Sequence, residues 1–235
     1  MKYYVISFFL LLSCGFTPAH ADEENVSPGI NRHYQGAEYQ QWLSTFEWSG
    51  REVYDRRQDV LKVLGLKPGM DIADIGAGTG FYSLLFAQQV GKSGKVFAVD
   101  VTEDFVSNIK RRAEENNLHN LQAILSEQKD TRLQPASIDI AFVCNTYHHF
   151  EYPQAMLASM YRALRPGGTL VIIDYRKQAG TSSSWVMSHV RHGKQSVINE
   201  IEQGGFKFQS ESDILKENYF LRFIKVEKTT GSEQR

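Results

Sequence analysis

The chain has 235 residues, 26 of them basic and 27 acidic, for a formal net charge of -1. That balance gives no general attraction to nucleic acid or an anionic membrane surface, since such partners recruit a basic face. Charged residues make up 23% and hydrophobic residues 42%, which excludes a disordered or fibrous chain, and at roughly 150 residues per domain the length suits one domain with an extension.

The N-terminus carries Lys2, an apolar run from Tyr3 to Leu12, then Ala19-His20-Ala21 and acidic Asp22-Glu23-Glu24. This is the order of a Sec signal peptide over residues 1–21, and it predicts an exported protein, periplasmic or secreted. The apolar run is shorter than the roughly 20 residues that span a bilayer, so no stable membrane span is expected after cleavage. Two alternatives stand beside cleavage after Ala21: lipoprotein attachment through Cys14, and retention of the segment as an anchor. Cleavage leaves Cys144 as the lone cysteine, without an internal disulfide. Its apolar neighbours Ile140 to Val143 mark it as a buried small hydrophobe.

Residues 22–59 read as a linker followed by a helical or lid segment. The stretch from 22 to about 32 is polar, with Pro28-Gly29, and reads as loose. Tyr34, Tyr39, Trp42, Phe46, Trp48 and Tyr54 follow, then Val60, Leu61, Val63 and Leu64. One or two helices are expected, stopped by Gly65. The aromatics either pack on a sheet or cover a ligand. Arg51, Arg56 and Arg57 read as a solvated helix face.

From Met70 strands and helices alternate. Strands are expected at 71–75, 96–100, 121–125, 138–144 and 169–174, with helices at 81–90, 103–116 and 154–164 between them. This alternation predicts an α/β fold, a doubly wound, mostly parallel sheet covered on both faces. A helix at 189–203 and strands at 206–210 and 219–227 then predict a terminal antiparallel hairpin at one edge, for seven strands in all. Residues 229–235 read as a disordered tail. His189, Arg191 and His192 lack metal-ligand context, so a surface cluster and no metal are expected.

The first strand ends in Asp74-Ile75-Gly76-Ala77-Gly78-Thr79-Gly80. Glycines here let the backbone turn tightly and let a ligand approach it closely. Asp100 ends the next strand, about 20 residues on, where a carboxylate can accept both hydroxyl protons of a ribose. The dinucleotide pattern G-x-G-x-x-G/A fails at Phe81, which disfavours a nicotinamide oxidoreductase.

These residues resemble the class I S-adenosylmethionine-dependent methyltransferases over about residues 60–228. Asp74, Gly76, Gly78 and Gly80 match that family's first motif, with Ala77 inside it. Asp100, followed by Val101, matches its ribose-binding acid. Glu127 falls where the family contacts the adenine amine, although Ser126-Glu127 departs from the usual Gly-Asp. Asn145-Thr146-Tyr147-His148-His149-Phe150 is similar to the fourth-strand exit, and Arg165-Pro166-Gly167-Gly168 to the turn before the fifth strand. The small-molecule-acting branch is the most similar.

The resemblance implies a Rossmann-like methyltransferase fold, S-adenosylmethionine as cofactor, and in-line methyl transfer to a small or medium-sized acceptor. Oriented attack and water exclusion are the main requirements, with a base for some acceptors. His148, His149 and Tyr147 are the candidate catalytic residues. Asp174 and Tyr175 also stand at a strand end, where Asp174 reads as a carboxylate holding a loop. The alternative reading is an exported, non-catalytic binding protein that retains the fold, since S-adenosylmethionine is a cytosolic metabolite.

Overall fold

The computed structural model describes residues 23–34 and 39–227. The expected signal peptide, Cys14 and the tail 229–235 lie outside the described residues. Seven strands form one sheet: β1 (Ile72–Ile75), β2 (Val96–Asp100), β3 (Leu121–Leu125), β4 (Ile138–Cys144), β5 (Leu164–Tyr175), β6 (Phe206–Ser212) and β7 (Asn218–Lys225). Their spatial order is β3-β2-β1-β4-β5-β7-β6. β1 to β5 run parallel, and β7 lies antiparallel between β5 and β6. This is the expected doubly wound sheet with a terminal hairpin.

The central strands are near-continuous apolar runs because helices cover both of their faces. Successive residues divide between two cores, as the strand period of two requires. Ala73, Ala141 and Ile172 cluster with Leu157 and Met160 of α6 (Pro153–Ala163) and Ile201 of α8 (Lys194–Gln203). Ile72, Ile140 and Val171 cluster with Val60 of α3 (Arg57–Leu64) and Phe86 of α4 (Phe81–Val90). Between β2 and β3, α5 (Glu103–Glu115) buries Phe105, Val106 and Ile109, and its first turn carries Glu103 and Asp104, which suit the positive end of the helix dipole. At the exposed edge, β6 carries Lys207 and a register shift between Phe208 and Ser210, both of which discourage pairing with another strand.

One expected helix is divided. In place of a helix over 189–203 there are α7 (Ser184–His189) and α8. The Val190 carbonyl accepts the Lys177 ammonium at 2.6 Å, and Gly193 takes an extended conformation as the N-cap of α8. The chain turns between the two helices, and that turn decides where His189 goes.

The N-terminal segment is pinned rather than loose. The Glu23 carboxylate accepts the backbone N–H groups of Gln154 and Ala155 at 2.8 and 2.7 Å, satisfying donors that the start of α6 leaves free. Asn31 donates to the His149 carbonyl at 3.1 Å. α1 (Tyr39–Phe46) and α2 (Glu52–Asp55) follow, and α3 ends at Gly65 in the left-handed conformation, as expected. Glu52 accepts the backbone N–H groups of Lys216, Glu217 and Asn218, and the Asn218 side-chain amide as well. One carboxylate thereby ties the N-terminal helices to the start of β7. Glu52→Ala strands these donors and should cost about 1–2 kcal/mol, or roughly 2–8 °C in Tm, in urea and thermal melts.

Candidate active site

Strand order reverses at β1. From there the sheet grows through β2 and β3 on one side and through β4 and β5 on the other. Loops leaving the carboxyl ends of β1 and β4 therefore part and open a crevice. The loop after β1 is the glycine turn. Gly76, Gly78 and Gly80 have φ of 71, 54 and 81°. A Cβ on Gly76 would stand 2.1 Å from Thr146 Cγ2, on the loop leaving β4, so conformation and contact both demand glycine there. Gly76 and Ala77 donate to the Val99 carbonyl at 2.8 and 3.0 Å, which holds the turn against β2.

Two buried carboxylates support this turn. Asp74 accepts the Ser83 hydroxyl at 2.6 Å. Burial pushes its pKa up to about 7, the Asp100 charge adds to the rise, and the Ser83 bond opposes it. Asp100 accepts the Gly78 and Thr102 N–H groups, each at 2.9 Å. Burial raises its pKa too, against the amide bonds. Each Asp100 oxygen keeps a further lone pair.

The crevice has a volume of about 670 Å³. Aromatic rings form one wall: Trp42 packs against Tyr34 and Phe46 with centroids 4.6 and 5.4 Å away, and Phe105 joins them. The Phe46 ring comes within 3.3 Å of where a Gly78 Cβ would be. The aromatic segment is thus both packed on the domain and a cover over the glycine turn. Arg51 is not on a solvated face. It lines the crevice, donating to the Phe46 carbonyl at 3.0 Å with its guanidinium over that ring. Arg56 is exposed and pairs with Asp59, as expected.

The other expected cofactor-binding residues differ in their fit. Val101 lies at the exposed rim. Asn145 has φ 51°, lines the crevice, and buries both polar atoms of its side chain without a partner. That unpartnered amide calls for a ligand or water. Glu127 also lines the rim, but its exposed carboxylate is engaged by Arg132.

At the far end three histidines converge. A short turn, Tyr147–His149, follows β4 and lies beside the end of β5. Asp174 Oδ1 and Oδ2 lie 2.8 and 3.0 Å from His148 Nδ1, and Oδ2 also accepts the His148 N–H at 3.2 Å. The pairing with a carboxylate makes Nδ1 the donor. His148 and Asp174 are 3% and 1% exposed, and His148 Nε2 has no partner. His149 Nε2 lies 3.3 Å from His189 Nε2 and 3.4 Å from the Tyr34 hydroxyl. Burial drives the His149 pKa down to about 2, with the His148 and His189 charges adding to the fall. His189 is lowered as well, first by burial, and stacks on Trp185.

Three expectations are corrected here. Tyr147 is fully buried and does not line the crevice; its hydroxyl bonds Glu200 of α8 at 2.8 Å and so is turned away from the candidate catalytic position. Arg191 is not on the surface but closes a two-bond pair with that same Glu200 at 2.9 and 2.7 Å. His189 turns inward to the crevice. Its position 40 residues beyond His149 carries no sequence signal. Asp174 does hold a loop, and what it holds is His148.

A methyltransferase-domain family model matches residues 66–219. The chain belongs to the methyltransferase-domain family. It is 26% identical over 118 residues to the demethylmenaquinone methyltransferase of Listeria welshimeri, covering 50% of each chain. It is 30% identical over 109 residues to the arsenite methyltransferase of Halobacterium salinarum, covering 46% of this chain and 28% of that one. The chain thus spans about half the length of the former relative and less of the latter. The crystal structure of a SAM-dependent methyltransferase from Aquifex aeolicus superposes with a TM-score of 0.72 at 26% identity, covering 81% of this chain and all of that one.

In this methyltransferase domain the raised Asp74 pKa has a consequence for stability. The native state holds the Asp74 proton up to pH of about 7, whereas the unfolded chain releases it near pH 4. The native state therefore binds more protons between those values, and stability falls as pH rises through that window. In urea titrations from pH 5 to pH 8, wild type should lose about 2–3 kcal/mol more than Asp74→Asn.

Proposed function

We propose that the protein transfers the methyl group of S-adenosylmethionine to a small or medium-sized acceptor with an acidic hydroxyl group. One observation carries the reading: the glycine turn with Asp100 and His148, held from behind by the buried Asp174, open on the same crevice. The residues present suit the donor. The glycine turn keeps Cβ atoms out of its way, Asp100 has lone pairs for a ribose diol, and Asn145 offers an unpartnered amide. A cation beside Asp74 and Asp100 favours their ionised forms, which burial opposes in the free site. When bound, S-adenosylmethionine supplies a methyl carbon made electrophilic by its sulfonium sulfur.

The rest is the work of this chain's own side chains. The aromatic wall excludes water and presents flat apolar surface, which suits an aromatic acceptor. Asp174 orients the His148 ring, which lines the crevice, and its unpartnered Nε2 can meet the acceptor's acidic group. Among the described residues Cys144 is the lone thiol, and burial pushes its pKa up, so it is not the thiolate a soft metalloid acceptor would need. A phenol or quinol fits this site better than arsenite.

Calorimetry of the full chain against S-adenosylmethionine and S-adenosylhomocysteine should give micromolar binding, with Asp100→Ala weaker by about ten- to a hundred-fold. A folded protein that binds neither would return the alternative, a non-catalytic binding protein of the same fold. Asp174→Asn should lower kcat on a phenolic acceptor about a hundred-fold and leave donor affinity within about two-fold. An unchanged kcat would remove the His148–Asp174 pair from the reaction.

A further inference from the structure

His148, His149 and His189 come together from two distant segments, the exit of β4 and the end of α7. One ring nitrogen of each lies within 4.8 Å of one from each of the others. Two of those nitrogens, His149 Nε2 and His189 Nε2, are 3.3 Å apart. Two nitrogens on a tetrahedral zinc, each bonded at about 2.0–2.1 Å, stand about 3.3–3.4 Å apart. A hydrogen bond accounts for that pair alone, but not for His148 Nε2, which is buried without a partner.

The remaining features are those of a ligand set. Nδ1 of His148 is held by Asp174, the carboxylate–histidine arrangement that fixes the tautomer of a metal-binding imidazole and raises its basicity. Three imidazoles suit zinc or a neighbouring transition metal, not calcium or magnesium, which prefer oxygen. All three side chains line the crevice, so a fourth position is open to whatever occupies it.

We propose that His148, His149 and His189 bind a divalent transition metal of the zinc class, with its open position toward the acceptor. The role in catalysis rests on the methyl-transfer reading above, and with metal bound it replaces the base role of His148, whose Nε2 lone pair is then a ligand. The acceptor's O–H proton leaves to solvent as its oxygen bonds the metal. An oxygen lone pair then forms the O–CH3 bond as the CH3–S bond breaks, and that electron pair returns to sulfur. The metal–oxygen bond then breaks to release the methylated ether.

The test uses tag-free full chain stripped with a chelator. Zinc chloride is titrated by calorimetry, and cobalt(II) chloride by visible absorption. The expected result is one equivalent of zinc bound at micromolar affinity or tighter, and intense visible cobalt bands of four-coordinate geometry. His189→Ala and His149→Gln should each weaken zinc at least about ten-fold, and Asp174→Asn about ten-fold. Far-UV circular dichroism should show each variant folded. No stoichiometric zinc binding by wild type overturns the proposal. Zinc binding that both histidine variants retain unchanged also overturns it, because the metal then sits elsewhere. S-adenosylmethionine affinity measured on the same samples tests the methyl-transfer reading separately.

Discussion

The crevice exists because a parallel sheet covered on both faces must return its chain by crossovers, and here those crossovers go first one way and then the other from β1. Parallel pairing puts the carboxyl ends of β1, β2, β4 and β5 along one rim, and the reversal parts the loops there. Asp74, Asp100, Cys144 and Asp174 each stand at or next to such an end. The contact between Gly76 and Thr146 is where the two parting loops touch, and it makes glycine obligatory at that position. Without the reversal the glycine turn and the histidine turn would not share a cavity.

Electrostatically the rim has two unlike ends. At the glycine turn, Asp74 and Asp100 are buried without a basic partner among the described residues, and burial raises both pKa values. A cationic ligand relieves that strain directly. At the other end three imidazoles converge, burial lowers the pKa of His149 and of His189, and Asp174 orients His148. A cation-seeking end and a lone-pair-rich end within one apolar-walled cleft suit a reaction between a positively charged electrophile and a nucleophile that must lose a proton.

The cover over the cleft is attached by carboxylates that precede the sheet in the chain. Glu23 caps α6, Glu47 pairs with Arg112 of α5, and Glu52 gathers three backbone amides before β7. Arg112 also donates to the Thr79 carbonyl in the glycine turn at 2.9 Å. The aromatic wall and the donor-side turn are therefore mechanically linked, and a shift in one bears on the other.

The strands, most helix limits and the glycine turn were legible in the sequence because each depends on local periodicity or on backbone conformations that only a few residues allow. The expected helix at 81–90 and the strands at 96–100, 121–125 and 138–144 coincide with α4, β2, β3 and β4. Asp100 was legible for the same reason, since its spacing from Gly76 is set by one strand–helix–strand unit. What escaped depends on contacts between remote segments. His189 reads as a surface residue until the break between α7 and α8 turns it inward. Tyr147 reads as a strand-end candidate until Glu200 of α8 claims its hydroxyl, and Arg191 belongs to the same buried pairing. Glu127 sits at the right place in the chain, but Arg132 draws its carboxylate away. By itself the sequence determined the fold and the cofactor-side turn, because their signals repeat along the chain. Only the tertiary structure decided the histidine end, because no local pattern records which side chains meet across 40 residues.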